Sequence, residues 1–471
     1  MKSSCFGPIM GEMEGRDLRE LRRIVGREHV QDSPEVLLCY SYDATKQERL
    51  AEAVVSPAST KEVGGVLAYA NEKGIPVYPR GMASGLSGGS VPTAGGIVLD
   101  MLRMNEILAI DAGNMTATVQ PGVICEELQN EVESQGLFFP PDPASSRVAT
   151  IGGMIAENAG GLRCIKYGTT RDYVLALEAV LPSGQVVHTG ARTLKSVTGY
   201  DLTRLLTGSE GTLAVVTEAT LRLIPLPRSE RTVLAFFPTV EGAVDAALRV
   251  LQARILPRAL EFMDEPTLAC VAEAMPHLEY LRGEKALLLV GVDGDDESSV
   301  EGQAQAVVET VSPGALQVIE AADKRQADEF WEVRKAMTPA LFRTAPNRFV
   351  EDVCVPRDRF KEMLAALKEI GRKNSVRLFN YGHIGDGNIH SSILLDERDV
   401  EEVKRAQRAV EEIFSAALAV KGTLTGEHGI GNTKSKYISW EVGSAELELM
   451  KALKRVFDPR GILNPGKVFP E

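Results

Sequence analysis

Three of the six histidines of this 471-residue chain fall within residues 383–428, each set among glycines: GHIGDGNIH at 382–390 and GEHGIG at 426–431. Clustered imidazoles beside a carboxylate suggest a metal. Gly382, Gly385 and Gly387 oppose a stable helix, so His383 and His390 must meet through a loop and a strand rather than by stacking on helical turns. Glu427 supplies a hard oxygen ligand. Two imidazoles and a carboxylate with open positions make a Lewis-acid site able to hold a substrate oxygen. His428 could be a fourth ligand, but neighbours on an extended backbone point apart, which favours a base facing the substrate. Asp386 and Asn388 read as turn formers or as partners of the ligands.

Two glycine-rich tracts suggest a second ligand. PRGMASGLSGGSVPTAGG at 79–96 carries six glycines, and closely spaced glycines let backbone amides converge on an anion, with Arg80 adding charge. Gly81, Gly85, Gly88 and Gly89 match neither GxxxxGK[ST] nor GxGxxG, which argues against P-loop and nicotinamide sites. PPDPASSRVATIGGMIAENAGG at 140–161 repeats the combination of close backbone approach and small polar side chains. Two such loops suit one long ligand, a diphosphate-bridged cofactor with a flat ring, and so a flavin dinucleotide.

The elements that must position these residues are legible in outline. Ala53–Ser56 reads as a strand, and Ser59 three residues before Glu62 is a capping-box spacing that starts a helix with Val63, Val66, Leu67 and Ala70 on one face. Gly74 and Pro76 close it before a strand near Val77, and strands at 97–101 and 117–120 and a helix at 124–134 follow. Strand-rich stretches occupy 176–189 and 212–224, and Pro225 and Pro227 mark a boundary. Beyond it come strands at 232–237, 259–263 and 286–292 and helices at 240–253 and 300–311, an α+β layout with a mixed sheet, and a helical stripe from Val403 to Leu418. The acidic run Asp293–Glu297 lacks calcium-loop spacing and reads as a solvated turn.

A net charge of −13 disfavours nucleic acid, and no run approaches the ~18 apolar residues of a membrane span. The first residues, with Glu12, Glu14 and Asp17, show no secretory signal, so a cytoplasmic location is expected. Cysteines at 5, 39, 125, 164, 270 and 354 form no disulfide, iron–sulfur or haem pattern and read as small buried hydrophobes.

With these motifs in hand, the sequence resembles the FAD-linked 2-hydroxyacid dehydrogenases of the vanillyl-alcohol-oxidase superfamily, near the D-lactate dehydrogenases and glycolate oxidase flavoprotein subunits. The resemblance rests on PRGMASGLSGGSVP, PPDP with IGGMIAENAGG, TGSEGTLAVVT at 207–217, GHIGDGNIH, GEHGIG and LNPGK at 463–467. It implies an α+β protein: an FAD-binding module of two α/β subdomains over 1–225, a substrate- and metal-binding cap over 226–425, and a segment over 426–471 returning to the FAD site. The FAD contacts it implies fall on Pro79, Arg80, Gly81, Met82, Ala83, Ser84, Gly85 and Leu86 in the first loop. In the second they fall on Pro141, Asp142, Thr150, Gly152, Gly153, Asn158 and Gly161, and farther along on Glu210, Gly211, Val215 and Asn464. Some superfamily members tether the flavin through a first-loop histidine; Gly81, Met82, Ala83 and Ser84 stand there, so FAD is expected to bind non-covalently. The resemblance also implies a divalent metal, usually zinc, on His383, His390 and Glu427, His428 as base, and Arg334 with Thr338 beside it as the substrate-carboxylate site. Without the resemblance, Arg334 reads as an exposed helix side chain. Phe349, Val350 and Glu351 stand where relatives handling a second carboxylate carry a basic residue, which argues against a dicarboxylic substrate.

The expected reaction is oxidation of a small D-2-hydroxy acid, D-lactate before glycolate, by hydride transfer to flavin. The chain has no ligand set for a second redox centre, so an external acceptor is expected: an iron–sulfur subunit, an electron-transferring flavoprotein, a cytochrome or a quinone, with the enzyme peripheral to the membrane through such a partner. Two rival readings are a metal-dependent hydrolase of a phosphorylated substrate and a non-catalytic flavin-binding subunit. The second predicts that the metal residues are missing.

Overall fold

A computed structural model describes residues 13–283 and 285–470. Cys5 and the first twelve residues, on which the reading of the amino terminus partly rests, lie outside the described residues. The chain divides into two compact units, one of Met1–Ala159, Thr169–Leu226 and Glu427–Glu471, the other of Gly160–Gly168 and Pro227–Gly426.

In the first unit the expected opening is present. Ser59 caps the helix Thr60–Lys73, its hydroxyl accepting from the Glu62 N–H at 3.3 Å, while the Glu62 carboxylate accepts from the Ala58 N–H at 2.7 Å. The apolar stripe of this helix joins Leu21, Val55, Val77 and Leu99 in one buried cluster. Four strands pair in the order Val30–Gln31, Ala53–Val55, Ile97–Asp100 and Val77–Arg80, the first pairing antiparallel and the other two parallel. A five-stranded antiparallel sheet carries Ile107–Asp111, Thr116–Val119, Val215–Arg222, Val174–Val180 and Val186–Gly190 in that order.

The second unit is built on seven strands in the order Gln317–Glu320, Ser229–Phe237, Ala286–Gly294, Ala259–Met263, Leu378–His383, Asn388–Leu395 and Asn347–Cys354. Every pairing is antiparallel, which corrects the mixed sheet expected from the sequence. Both faces are covered. Leu234, Phe236, Leu287 and Leu289 join Phe330 and Val333 of the helix Lys324–Lys335 in one cluster, and Phe262 meets Phe360 edge-on at 5.2 Å from the opposite helix layer. Burial on both sides explains why Ala286–Val292 is continuously apolar instead of alternating.

The acidic run at 293–297 is solvated only in its later part: Asp295, Asp296 and Glu297 are exposed, but Asp293 is not. Asp293 is 2% exposed and ends the strand Ala286–Gly294, where its carboxylate accepts from Lys166 Nζ and, at 2.8 Å, from the Tyr167 hydroxyl. Asp296 caps the helix Glu297–Val311 through the Ser299 N–H at 2.8 Å.

Candidate active site

In the first unit the glycine tracts converge because side chains are missing where they touch. A Cβ on Gly81 would collide with the Thr150 hydroxyl, so the loop after the strand Val77–Arg80 lies directly on the start of the helix Ile151–Glu157. Thr150 caps that helix, accepting from the Gly153 N–H at 3.3 Å, and Gly152 backs onto Pro121, whose Cβ would be 2.6 Å from an added methyl. The N–H groups of Gly208 and Glu210 donate to the carbonyls of Ile155 and Ala156 at 2.9 and 2.8 Å, which ties the TGSEGT segment to the same helix. Glu210 in turn accepts from the N–H groups of Ile430 and Gly431 at 2.9 and 2.6 Å, and its carbonyl accepts from Asn464 Nδ2 at 2.8 Å. Burial pushes the Glu210 carboxyl up, opposed by those two amides.

These residues fit a cofactor laid along backbone. Ala83, Asn158, Glu210 and Asn464 all hold φ between 43° and 53°, a left-handed conformation that non-glycine residues keep only where the surroundings impose it. A Cβ on Gly85 would meet nothing within 4 Å, and the buried polar atoms Asn464 Oδ1 and Ser87 Oγ have no partner among the described residues. Open space beside convergent glycines and unsatisfied polar atoms is what a dinucleotide cradle requires. Leu86 is half-buried and Met82 exposed in the same loop, and Val215 opens a buried strand. Pro141 is buried with its carbonyl on Gln129 Nε2 at 2.9 Å, and Asp142 beside it is half-buried. Gly161 is buried in the second unit, at φ 141°. Arg80 is occupied within the protein, donating to the Tyr42 carbonyl at 2.8 Å and lying over the Tyr40 ring. Lys467, the last residue of LNPGK, was not singled out by its sequence context. It is buried and donates to the carbonyls of Gly88 and, at 2.7 Å, Val91, holding the first glycine tract from beneath. Burial lowers its ammonium pKa to about 8.

In the second unit the chemistry-bearing side chains stand in a row on one sheet face. Antiparallel register sets Glu261 opposite His383, Tyr381 opposite His390, and His390 opposite Asp352. Directly opposite residues share a face, so Glu261, His383, Tyr381, His390 and Asp352 all face the same way. His383 and His390 sit on two paired strands joined by the glycine turn, with ring centroids 5.2 Å apart, and Tyr381 stacks on His390 at 5.3 Å. Both imidazoles are buried. Asp352, fully buried, accepts from the Thr425 hydroxyl at 2.9 Å and from the Gly426 N–H at 3.0 Å. That anchor fixes where Glu427, peptide-bonded to Gly426, begins. One ligand atom from each of His383, His390 and Glu427 falls within 4.8 Å of the other two. His428, the next residue, is half-buried.

Arg334 is not an exposed helix residue. It is 3% exposed near the end of Lys324–Lys335, donates from Nε to Glu261 Oε2 at 2.8 Å, and lies over the Tyr381 ring at 5.5 Å. The other Glu261 oxygen meets His383 Nδ1 at 2.6 Å. Burial pushes the Glu261 carboxyl up, but the charges and hydrogen bonds of His383 and Arg334 outweigh it and leave it below the usual carboxylate range. Thr338 lies half-buried on the next helix, Met337–Thr344. Glu261 and Asp352 escape notice in the sequence; the only sign of Glu261 is a lone carboxylate in the apolar strand ALEFM.

The comparisons agree with this architecture. Residues 226–468 match the family of FAD linked oxidases, C-terminal domain, and residues 51–190 match the FAD binding domain. Solved structures share the fold: p-cresol methylhydroxylase superposes with a TM-score of 0.80 at 19% identity over 96% of each chain. The 4-ethylphenol oxidase of Gulosibacter chungangensis gives 0.76 at 19% identity over 97% of each chain. The chain therefore belongs to the FAD-linked oxidases with the vanillyl-alcohol-oxidase type of FAD-binding fold. Within them it is an oxidoreductase of the glycolate oxidase subunit and D-lactate dehydrogenase type. It is 43% identical to the glycolate oxidase subunit GlcD of Bacillus subtilis over 96% of this chain and 97% of that protein. It is 40% identical to a D-lactate dehydrogenase of Archaeoglobus fulgidus over 91% and 95%. The hydrolase reading finds no support in these matches. No described helix is long and apolar enough to cross a membrane.

Proposed function

We propose that this protein oxidises a small D-2-hydroxy acid, D-lactate in preference to glycolate, to the 2-oxo acid and passes the electrons to an external acceptor. The observation that supports this reading is the pairing of Arg334 and His383 on the two oxygens of Glu261, which sets an anion-binding guanidinium beside a candidate ligand imidazole. Because the bond to Glu261 uses Nε, the Nη edge of Arg334 is the part of the fork that matches a substrate carboxylate. Thr338, four residues farther along and half-buried in the helix Met337–Thr344, would add a hydroxyl to that site. When bound, FAD supplies the acceptor for the hydride that leaves the carbinol carbon, and a divalent ion such as zinc supplies positive charge for the alcohol oxygen. His383, His390 and Glu427 would hold that ion, and His428 takes the hydroxyl proton.

FAD would be held non-covalently by the glycine loops, since residues 81–84 offer no histidine. A protein acceptor is favoured by the word "subunit" in the name of the Bacillus subtilis relative; the location that goes with this reading is the cytoplasm, with the membrane reached only through that partner. Phe349, Val350 and Glu351 add no cation for a second carboxylate.

The test is anaerobic flavin reduction followed by absorbance, with D- and L-lactate, glycolate and D-2-hydroxyglutarate as substrates. D-lactate is expected to bleach the flavin fastest. A colourless protein, or one reduced faster by glycolate, L-lactate or D-2-hydroxyglutarate, refutes the proposal.

A further inference from the structure

We infer that Glu261 is a positioning residue that sets two parts of the substrate site at once, fixing which nitrogen of His383 ligates the ion and which edge of Arg334 meets the substrate. The inference rests on the metal reading proposed above.

Three observations carry it. Glu261 is wholly buried, and both of its oxygens are taken by charge-bearing donors, Arg334 Nε at 2.8 Å and His383 Nδ1 at 2.6 Å. A carboxylate shared with a guanidinium can only accept, so the proton on the His383–Glu261 bond sits on Nδ1, and Nε2 is the nitrogen that ligates. Strand register holds the pair rigid, because Glu261 and His383 are directly opposed on adjacent antiparallel strands and Glu261 is flanked on its other side by Leu289.

Stability alone does not account for a carboxylate here. Apolar residues in place of Glu261, Arg334 and His383 together would pack against Leu287, Leu289 and Met263 without the desolvation cost of buried charges, whereas replacing Glu261 alone would strand the Arg334 guanidinium. A carboxylate joining a ligand imidazole to its surroundings does have a chemical use: it orients the ring and raises its basicity, and losing it weakens metal affinity 10- to 100-fold. Here the same carboxylate also holds the guanidinium of Arg334, so metal affinity and substrate KM are linked through one side chain.

The test compares wild type, Glu261→Gln and His383→Ala as purified, FAD-loaded protein. Each is titrated with zinc against a chromophoric chelator, with flavin absorbance and far-ultraviolet circular dichroism recorded on the same samples. Wild type is expected to take up one zinc, His383→Ala to lose that uptake, and Glu261→Gln to bind zinc about 10- to 100-fold more weakly with FAD retained and KM for D-lactate raised. Zinc affinity in Glu261→Gln equal to wild type overturns the inference while the metal reading stands. A wild type that takes up no zinc, or a His383→Ala variant that keeps it, overturns both. If Glu261→Gln does not fold, 15N magnetic resonance of histidine-labelled wild type decides, with the His383 signals assigned by their loss in His383→Ala. A protonated Nδ1 is expected, and an unprotonated Nδ1 overturns the inference.

Discussion

Replacing Arg334 by lysine separates binding of the substrate carboxylate from support of the fold. In the wild-type chain the guanidinium gives Nε to Glu261, and on the proposed reading its Nη edge meets the substrate carboxylate. A lysine ammonium on the same helix position can accompany Glu261 or reach the substrate, but a single nitrogen cannot replace a two-edged fork. The loss is one charge-assisted hydrogen bond, about 1.5–3 kcal/mol, which at ~1.4 kcal/mol per decade lowers kcat/KM about 10- to 150-fold. Carboxylate binding is made equally in the ground and transition states, so the loss is expected in KM with kcat nearly kept. Arg334→Met differs in a second way. It leaves the buried Glu261 carboxylate with His383 as its one charge partner among the described residues, and breaking a buried pair costs about 3–5 kcal/mol, so its melting temperature should fall well below that of Arg334→Lys. Steady-state kinetics with D-lactate and a dye acceptor, together with thermal melts of both variants, make the comparison. A KM for Arg334→Lys within twofold of wild type, or a drop confined to kcat, refutes the assignment of Arg334 to the carboxylate.

Three further outcomes follow from named contacts. His428→Ala is expected to lower D-lactate turnover about 10²- to 10⁴-fold with FAD still bound; stopped-flow flavin bleaching at the wild-type rate would remove His428 from proton transfer. Gly85→Ala adds a methyl that meets no heavy atom within 4 Å, so its fold should be unchanged while flavin fluorescence reports weaker FAD retention, and wild-type retention would show that the open space is not the cofactor's. Asp264, buried and pushed up to about 6 by desolvation against hydrogen bonds from Thr267 and Asn380, binds its proton more tightly folded than unfolded. Its contribution therefore favours the fold at low pH and declines as pH rises through the window from about 4 to 6. Between pH 5 and pH 7 that decline is on the order of 1 kcal/mol, which Asp264→Asn should abolish; parallel melting profiles of the two proteins across that range would contradict it.

What the sequence makes legible is set by how far apart the interacting residues lie. Ser59 and Glu62 are three residues apart, and the cap they predict is the cap that forms. The histidines were legible by type, and the glycines around them by what they prevent: Gly382 at φ 146° and Gly387 at φ 83° hold the turn that sets His383 and His390 on paired strands. Arg334 was not legible as a buried residue, because its partner Glu261 is 73 residues away and only the sheet register reveals the pair. Asp293 failed for the same reason. Its run of acids looks solvated until the strand is seen to continue past Val292 and Lys166 and Tyr167, more than a hundred residues upstream, are found on its carboxylate. The side chains that do chemistry can thus be guessed from residue type, since few residue types ligate metals or bind carboxylates. The side chains that aim them cannot, since any buried glutamate or aspartate could serve; strand pairing determines that Glu261 faces His383, and a side-chain contact 74 residues away in sequence that Asp352 holds Gly426 just ahead of Glu427.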